Sequence, residues 1–151
     1  MAKSSEERVN ALMRIPLLAN LPHADLVAMA ERVVERSFQP GGQLIAEGTS
    51  GSSIFLIVSG KCEVRRKTGG ASVRLALLES GDFFGELSVL DPAPRTATVT
   101  AYDEVVVLEL GGYDFRAALG GNRAMADHVI KVLATRLRAL DDEFAPRIRP
   151  S

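Results

Sequence analysis

Apolar residues near the start of the chain recur at the spacing of amphipathic helices. They step by three and four over residues 1–35, where Pro16 and Pro22 interrupt any single long helix. The pattern predicts two short helices that meet at Asn20–Pro22, with Ser4 and Glu7 forming a capping box at the first. The apolar positions are Val9, Leu12, Met13, Leu17, Leu26, Met29, Ala30, Val33 and Val34.

The helical period returns after Gly111–Gly112. A short helix is predicted to stop at Gly120–Gly121, and a longer one to begin near Asn122, a good N-cap, and to reach Phe144. Residues 146–151, rich in Pro and Arg, are predicted to form a tail. In the long helix, the residues predicted to pack on the rest of the molecule are Met125, Val129, Leu133 and Leu137, while Ile130, Val132, Leu140 and Phe144 lie to either side or beyond.

Residues 37–110 carry short β-prone runs separated by glycines. Many short strands with turn signals at near-regular intervals are typical of a barrel, sandwich or roll. Thr68–Gly70 has the composition of a hairpin tip, and the continuously apolar run Ile54–Val58 predicts a strand buried on both faces. The predicted strands are Gln43–Ala46, Ile54–Val58, Cys62–Arg66, Val73–Leu78, Thr96–Thr100 and Glu104–Leu110.

The length of 151 residues and the hydrophobic fraction of 46% fit one compact domain. We therefore predict an α+β fold over residues 1–145: an antiparallel, jelly-roll-like β-roll (37–110) flanked by N-terminal helices (1–35) and by C-terminal helices (112–144), the last of them long. The net charge of −1 argues against non-specific nucleic-acid binding, which depends on a basic surface. No apolar run reaches the roughly 18 residues that indicate a membrane helix.

The chain has too few cysteines and histidines to form a disulfide or a metal site. Cys62 is the only cysteine, and one cysteine cannot form an internal disulfide or hold zinc alone. Since the N-terminus also lacks the apolar stretch of a signal peptide, we expect a cytoplasmic protein. The two histidines lie far apart, and no nucleophile is paired with a base, so we predict no catalytic residues, no metal site and no resident cofactor.

Residues 83–99 carry the elements of an anion site. Gly85 permits close approach of the backbone, and residues 86–89 can form a helical turn with free N–H groups. Arg95 follows Glu86 by nine residues in a loop stiffened by two prolines. An arginine held beside a helix N-terminus suits a phosphate, and a carboxylate there suits a neutral donor such as a ribose hydroxyl.

The segment 83–97 resembles the phosphate-binding cassette of cyclic-nucleotide-binding domains. That family includes bacterial catabolite activators, kinase regulatory subunits and cyclic-nucleotide-gated channels. The spacing of nine is similar to that of the kinase and channel branch, whereas the activators have one residue more. The resemblance covers nearly the whole chain and is also carried by Ile15–Leu18, Leu21, Leu26, Gly42, Ile45, Glu47, Gly48, Gly60, Phe115, Leu133, Ala134, Arg136 and Leu137.

The resemblance implies a binding site for cAMP or cGMP. It implies that Glu86 bonds the ribose 2′-hydroxyl, and that Arg95 bonds the cyclic phosphate together with backbone amides around Gly85 and Leu87. Thr96 would touch the phosphate or a syn purine. The other candidate residues are Ser88 and Ala97 in the cassette, Val64, Leu75 and Leu77 beside the base, and Arg136 and Leu140 on the helix that covers it.

These residues also have ordinary structural interpretations. Arg95 could be a surface arginine or an ion-pair partner of Glu86, and Thr96 is a common β-former. Leu140 could serve only for packing, and Arg136 could be a solvated helix residue. The cassette as a whole favours ligand binding for Arg95 and Glu86.

We accordingly predict a regulatory module, not an enzyme, that binds a cyclic purine nucleotide and reports occupancy through its C-terminal helix. We expect cAMP to be favoured, because Leu140 is apolar where similar cGMP-selective channels place an acid. The effector domain or homodimer partner would meet that helix. One alternative is the sensor half of a cAMP-responsive transcription factor; the segment after Phe144 is too short for a DNA-reading domain, so we expect no DNA binding by this chain alone. The other is a β-roll interaction domain that has lost its ligand.

Overall fold

The fold is described from a computed structural model covering residues 3–148, with side chains described as far as Leu140. The helices are α1 (Ser5–Met13), α2 (His23–Arg32), α3 (Glu86–Leu90), α4 (Gly112–Gly121) and α5 (Arg123–Ile148), with a 3₁₀ turn at Pro16–Leu18. The strands are β1 (Val34–Phe38), β2 (Gln43–Ile45), β3 (Ser53–Ser59), β4 (Cys62–Thr68), β5 (Ala71–Leu78), β6 (Phe83–Phe84), β7 (Thr98–Ala101) and β8 (Val105–Gly111).

The eight strands form two antiparallel sheets of four, in the orders β1-β8-β3-β6 and β2-β7-β4-β5. The sheets enclose an apolar core, and the helices pack a second core onto the outside of the first sheet. The predicted α+β roll between N-terminal helices and a long C-terminal helix is confirmed.

Strand β3 connects the two cores. Its residues Ile54 and Leu56 belong to the core beneath the helices, whereas Phe55 and Ile57 belong to the core between the sheets. Because side chains alternate across a strand, an inner strand covered on both sides must be apolar throughout. The prediction of burial on both faces is confirmed for these four residues, and Val58 is half-buried.

Local signals at helix ends and turns behave as the sequence predicts. The Ser4 side chain accepts from the Glu7 amide and the Glu7 side chain accepts from the Ser4 amide, which completes the capping box. At the other end, Asn122 accepts from the Met125 amide at 2.9 Å and so caps α5. Gly69–Gly70 form the predicted hairpin turn between β4 and β5, both with positive φ.

The N-terminal boundary of the roll differs from the prediction. Val33 and Val34 were assigned to a helix by their spacing, but α2 ends at Arg32 and Val34 opens strand β1. This edge strand pairs with β8, far along the chain, as in Val34 with Glu109. Two β-branched valines fit a strand well, but the partner that selects this conformation is invisible to local periodicity.

Helix α5 also differs from the prediction. Met125 and Val129 are buried and Leu133 is half-buried, as expected, but Leu137 is 67% exposed and does not pack on the roll. Val132 packs on the core instead. A step of four residues drifts around a helix of 3.6 residues per turn, so the stripe leaves the contact face by its fourth member. The helix continues to Ile148, so the tail predicted from residue 146 is helical over its described part.

Two of the glycines with positive φ differ in what surrounds them. Gly60 and Gly48 have φ of +85° and +82°, but a Cβ at Gly60 would overlap the Glu104 carbonyl oxygen, whereas nothing lies within 4 Å at Gly48.

Among the described helices, none is long and apolar enough to cross a membrane.

We expect Gly60→Ala to destabilise the domain far more than Gly48→Ala. The strained backbone alone costs about 1–2 kcal/mol at either position, and only Gly60 adds an overlap with a backbone atom. Urea unfolding of both variants checks this. Equal losses of unfolding free energy would contradict the close approach at Gly60.

Candidate functional site

A cavity of about 420 Å³ lies between the second sheet, helix α3 with the loop that follows it, and helix α5. The cassette supplies one wall, strands β4 and β5 the opposite wall, and α5 the cover. The lining residues are Ile45, Val64, Leu75, Ala76, Leu78, Phe84, Gly85, Glu86, Leu87, Ser88, Arg95, Thr96, Ala97, Val99, Leu133, Arg136, Leu137, Ala139 and Leu140.

Arg95 brings a cation into this cavity. The residue is only 7% exposed, and its guanidinium donates to two backbone carbonyls, from Nη1 to Gly85 O at 2.8 Å and from Nη2 to Ser53 O at 3.0 Å. The loop that carries Arg95 is fixed by its own backbone, which bonds Thr49 O and the Gly48 amide, each at 2.8 Å. The arginine is therefore preorganised and is not a solvated surface residue.

The charge of Arg95 has no carboxylate directly against it. No described carboxylate oxygen lies within 4.0 Å of its guanidinium nitrogens, so the ion pair with Glu86 allowed by the sequence is not formed. Burial lowers the pKa of Arg95 from its ordinary value, and the more distant carboxylates of Glu109 and Glu86 act against that shift. Because a buried charge is costly unless it is paired, the cavity favours an anion.

Helix α3 begins at the floor of the cavity. Gly85 precedes it with φ of +90°, a conformation that few other residues adopt. The first amides of a helix have no partners within the helix, and the residues that carry them here, Glu86, Leu87 and Ser88, all line the cavity. These amides lie at the same end of the cavity as the Arg95 guanidinium.

Glu86 is paired with helix α5. Its carboxylate is 6% exposed and accepts from Arg136 Nη1 at 3.1 Å. The same guanidinium donates to Phe83 O and lies over the Phe83 ring, 5.0 Å from the ring centroid. Arg136 is therefore not the solvated helix arginine that its position in the sequence also allowed, but a bridge between α5 and the cassette.

The far end of the cavity is apolar. Val64, Leu75 and Ala76 line it from the sheet, and Leu133 and Leu140 line it from α5. A cavity with a cationic, anion-binding end and an apolar end fits a ligand that joins a phosphate to a flat ring system.

Comparison with known proteins identifies this arrangement. Residues 35–122 match the family model described as the cyclic nucleotide-binding domain. The chain belongs to this family. The match includes the whole cassette but ends before α5, so it does not extend to Arg136 and Leu140.

The relatives of this cyclic nucleotide-binding domain are regulatory proteins. A cAMP-dependent protein kinase regulatory subunit of Yarrowia lipolytica is 37% identical over 72% of this chain and 28% of its own length. A CRP-like cAMP-activated global transcriptional regulator of Mycobacterium tuberculosis is 29% identical over 91% of this chain and 62% of its own. The crystal structure of the Thermus thermophilus catabolite activator protein superimposes with a TM-score of 0.74 at 30% identity, covering 86% of this chain and 62% of that one. The chain therefore spans less than two thirds of the length of each of these relatives.

The structure brings together every predicted site residue of the cyclic nucleotide-binding domain except Leu77. Leu77 is 39% exposed and stands opposite Glu63, outside the cavity. The pairing of β4 with β5 shifts between Val64 and Arg65, which leaves Leu75 as an extra residue in β5. A one-residue bulge reverses the alternation of the strand, so Ala76 and Leu78 take the inward positions, whereas the family resemblance had implied one for Leu77.

Sequence reasoning missed several apolar lining residues. Within the sheet they are Ile45, Ala76, Leu78 and Val99, which alternation within the strands could have shown once one inward residue of each was known. Phe84 stacks on Phe55 at a centroid distance of 5.1 Å and belongs to a strand of two residues that has no periodicity to detect. Leu133 and Leu137 were named for the resemblance of the closing helix, but not as part of the site.

Among the described residues, no three His, Cys, Asp or Glu side chains lie close enough together to hold a metal ion. Burial raises the pKa of the Cys62 thiol to about 12, so this thiol is not a nucleophile at neutral pH.

Proposed function

We propose that this domain is a non-catalytic sensor that binds a purine cyclic nucleotide in the cavity, with cAMP favoured over cGMP. The observation that carries the proposal is Arg95, a buried cation whose guanidinium contacts two backbone carbonyl oxygens and no described carboxylate within 4.0 Å, in a cavity that also has an apolar wall. A cyclic phosphate would supply the missing anion. The planar fork of arginine suits two phosphate oxygens, and the free amides of α3 would add neutral donors.

Glu86 supports a ribose beside that phosphate. Arg136 donates to its Oε1, and a carboxylate has room for several more donors on its two oxygens. A ribose 2′-hydroxyl is a neutral donor of the required kind. The pairing with Arg136 keeps the Glu86 charge from repelling the phosphate, which reconciles a carboxylate with an anion site.

The preference for adenine is proposed from the apolar end of the cavity. Leu75, Leu133 and Leu140 offer no hydrogen bonds to a base. Guanine carries a carbonyl and an amino group where adenine carries one amino group, and each polar group that is buried without a partner costs about 1–3 kcal/mol. Thr96 is compatible with either base. The acids that follow Leu140 in the sequence are Asp141 and Asp142, and their side chains lie outside the described residues.

The relatives favour a regulatory role, and the regulated partner is part of the proposal. One relative is named as a kinase regulatory subunit and another as a transcriptional regulator. We propose that α5 carries the signal to an effector domain or to a second copy of the chain. Ile130 and Leu137, seven residues apart on α5, are 65% and 67% exposed and form the apolar surface for that contact. DNA reading would need a further domain.

We expect Arg95→Ala to weaken cAMP binding severely. Truncating one partner of a desolvated charge pair costs about 2–5 kcal/mol, which corresponds to a loss of about 30-fold to several thousand-fold in affinity. Calorimetric titration measures it. Arg123→Ala is the matched control because its side chain is 94% exposed at the start of α5. An Arg95→Ala affinity within threefold of the wild type would refute the proposal.

We expect cAMP to bind about tenfold more tightly than cGMP, the factor that corresponds to one unpaired polar group. Titration of the same protein with both nucleotides checks this. The Leu140→Glu variant should narrow or reverse the ratio, because a carboxylate there can accept from the guanine amino group. Tighter binding of cGMP by the wild type would contradict the base preference while leaving the phosphate site intact.

We expect nucleotide to protect the backbone of α5 between Leu133 and Leu140 from hydrogen exchange, because a bound base adds contacts beneath it. Arg136→Ala should reduce this protection, whereas Arg138→Ala, two residues on and exposed, should not. Unchanged exchange in α5, with protection gained around Glu86, would show a ligand that binds without using this helix as its output.

A further inference from the structure

Glu109 is connected to the buried Arg95 through a single residue, Ser53. Arg95 Nη2 donates to the Ser53 carbonyl at 3.0 Å, and the Ser53 hydroxyl donates to Glu109 Oε2 at 2.6 Å. Strand pairing enforces this proximity, because Ser53 begins β3 beside the end of β8, and Phe55 stands opposite Glu109. A carboxylate on an inner strand is thus linked to Arg95 through Ser53, and Glu109 is not among the residues that line the cavity.

The ion pair that Glu109 forms with Arg36 is partly exposed to solvent. Arg36 donates to Glu109 Oε1 at 3.0 Å, but the Arg36 side chain is 47% exposed and that of Glu109 is 25% exposed. Solvent screens such a pair. The Arg95 guanidinium, by contrast, is enclosed, and less screened charges interact over longer distances. Of the carboxylates that oppose the lowering of the Arg95 pKa, Glu109 has the larger effect and Glu86 the smaller.

We propose that Glu109 is a positioning residue that acts through Arg95 as the counter-charge of the empty site, stabilising the buried cation at the expense of affinity for an anionic ligand. Without ligand, Glu109 offsets the cost of an unpaired guanidinium. When an anion binds, both the anion and Glu109 interact with Arg95, and the two negative charges repel each other. The inference rests on the proposed function only for the identity of that anion.

The proposal predicts opposite effects on affinity and on stability when Glu109 is replaced. Losing an acid that does not line the cavity should tighten binding, and the same change should destabilise the empty protein. A residue that merely supports the fold would instead weaken binding or leave it unchanged.

The first test is a double-mutant cycle in the ligand-free protein, with Glu109→Gln, Arg95→Gln and the double variant. Glu109→Gln should lower the thermal midpoint by about 2–4 °C, and its cost should fall by at least half when Arg95 is already Gln. Any change in the bonds to Ser53 and Arg36 is common to both backgrounds, so the difference isolates the coupling to Arg95. Equal costs in the two backgrounds overturn the proposal.

The second test separates the phosphate from the rest of the ligand by titrating cAMP and adenosine. Glu109→Gln should bind cAMP about three- to tenfold more tightly, as expected for removal of one like charge at medium range, with adenosine unchanged. Glu31→Gln, an exposed change of the same charge on α2, is the control, and Glu109→Asp should restore wild-type behaviour. Weaker or unchanged cAMP binding, or an equal change for both ligands, overturns the proposal.

The outcomes of these tests distinguish an error in the role of Glu109 from an error in the proposed function. If the wild type bound no nucleotide, the function would be wrong, and the ligand-free cycle would still decide whether Glu109 is the counter-charge. If the wild type binds through Arg95 but the cycle shows no coupling, only the role of Glu109 is lost.

Discussion

The site depends on one unfavourable placement: a guanidinium enclosed by protein without a carboxylate directly against it. Arg95 is held there by two carbonyl oxygens and by the backbone bonds of its loop to residues 48 and 49. These two carbonyl oxygens accept hydrogen bonds from the guanidinium but do not neutralise its charge. The unneutralised charge of Arg95 therefore attracts an anion. In the empty site, the proposed counter-charge on Glu109 reduces the free-energy cost of leaving that cation without a ligand.

A second charge pair connects this site to the helix that covers it. Glu86 is buried in the cassette, and its partner Arg136 comes from α5. Removing one partner from a buried pair costs more than the pair itself contributes, so the bond between Arg136 and Glu86 favours the arrangement in which α5 covers the cassette. A ligand that adds a donor to Glu86 and an apolar surface beneath Leu140 changes the contacts on both sides of this bridge. Such differential contact is what a conformational shift requires.

The sequence predicted what depends on short range or on spacing. The capping box, the hairpin turn, the doubly buried strand β3 and the Glu86–Arg95 cassette all follow from neighbouring residues. The edge strand β1 was missed because its partner β8 lies far along the chain, and Leu77 was misplaced because a bulge in β5 reverses its alternation. The pairings of Arg136 with Glu86 and of Glu109 with Ser53 join residues 50 and 56 positions apart, and no local pattern signals them.

The distribution of contacts along α5 shows why its distal half is the part suited to move. The proximal half is fixed: Asn122 caps it and also donates to Asn20 O, and Met125 and Val129 are buried in the core beneath the helices. Between Leu133 and Leu140, the last residue whose side chain is described, the helix contacts the rest of the domain mainly around Arg136 and over the cavity itself. Displacing the segment from Leu133 to Leu140 would therefore break one described ion pair and little described apolar packing, whereas displacing the proximal half would open the core. In the proposed function, a base in the cavity would act on the described segment of the helix that has the least packing, and coupling free energies of about 1–3 kcal/mol are enough to shift such an equilibrium.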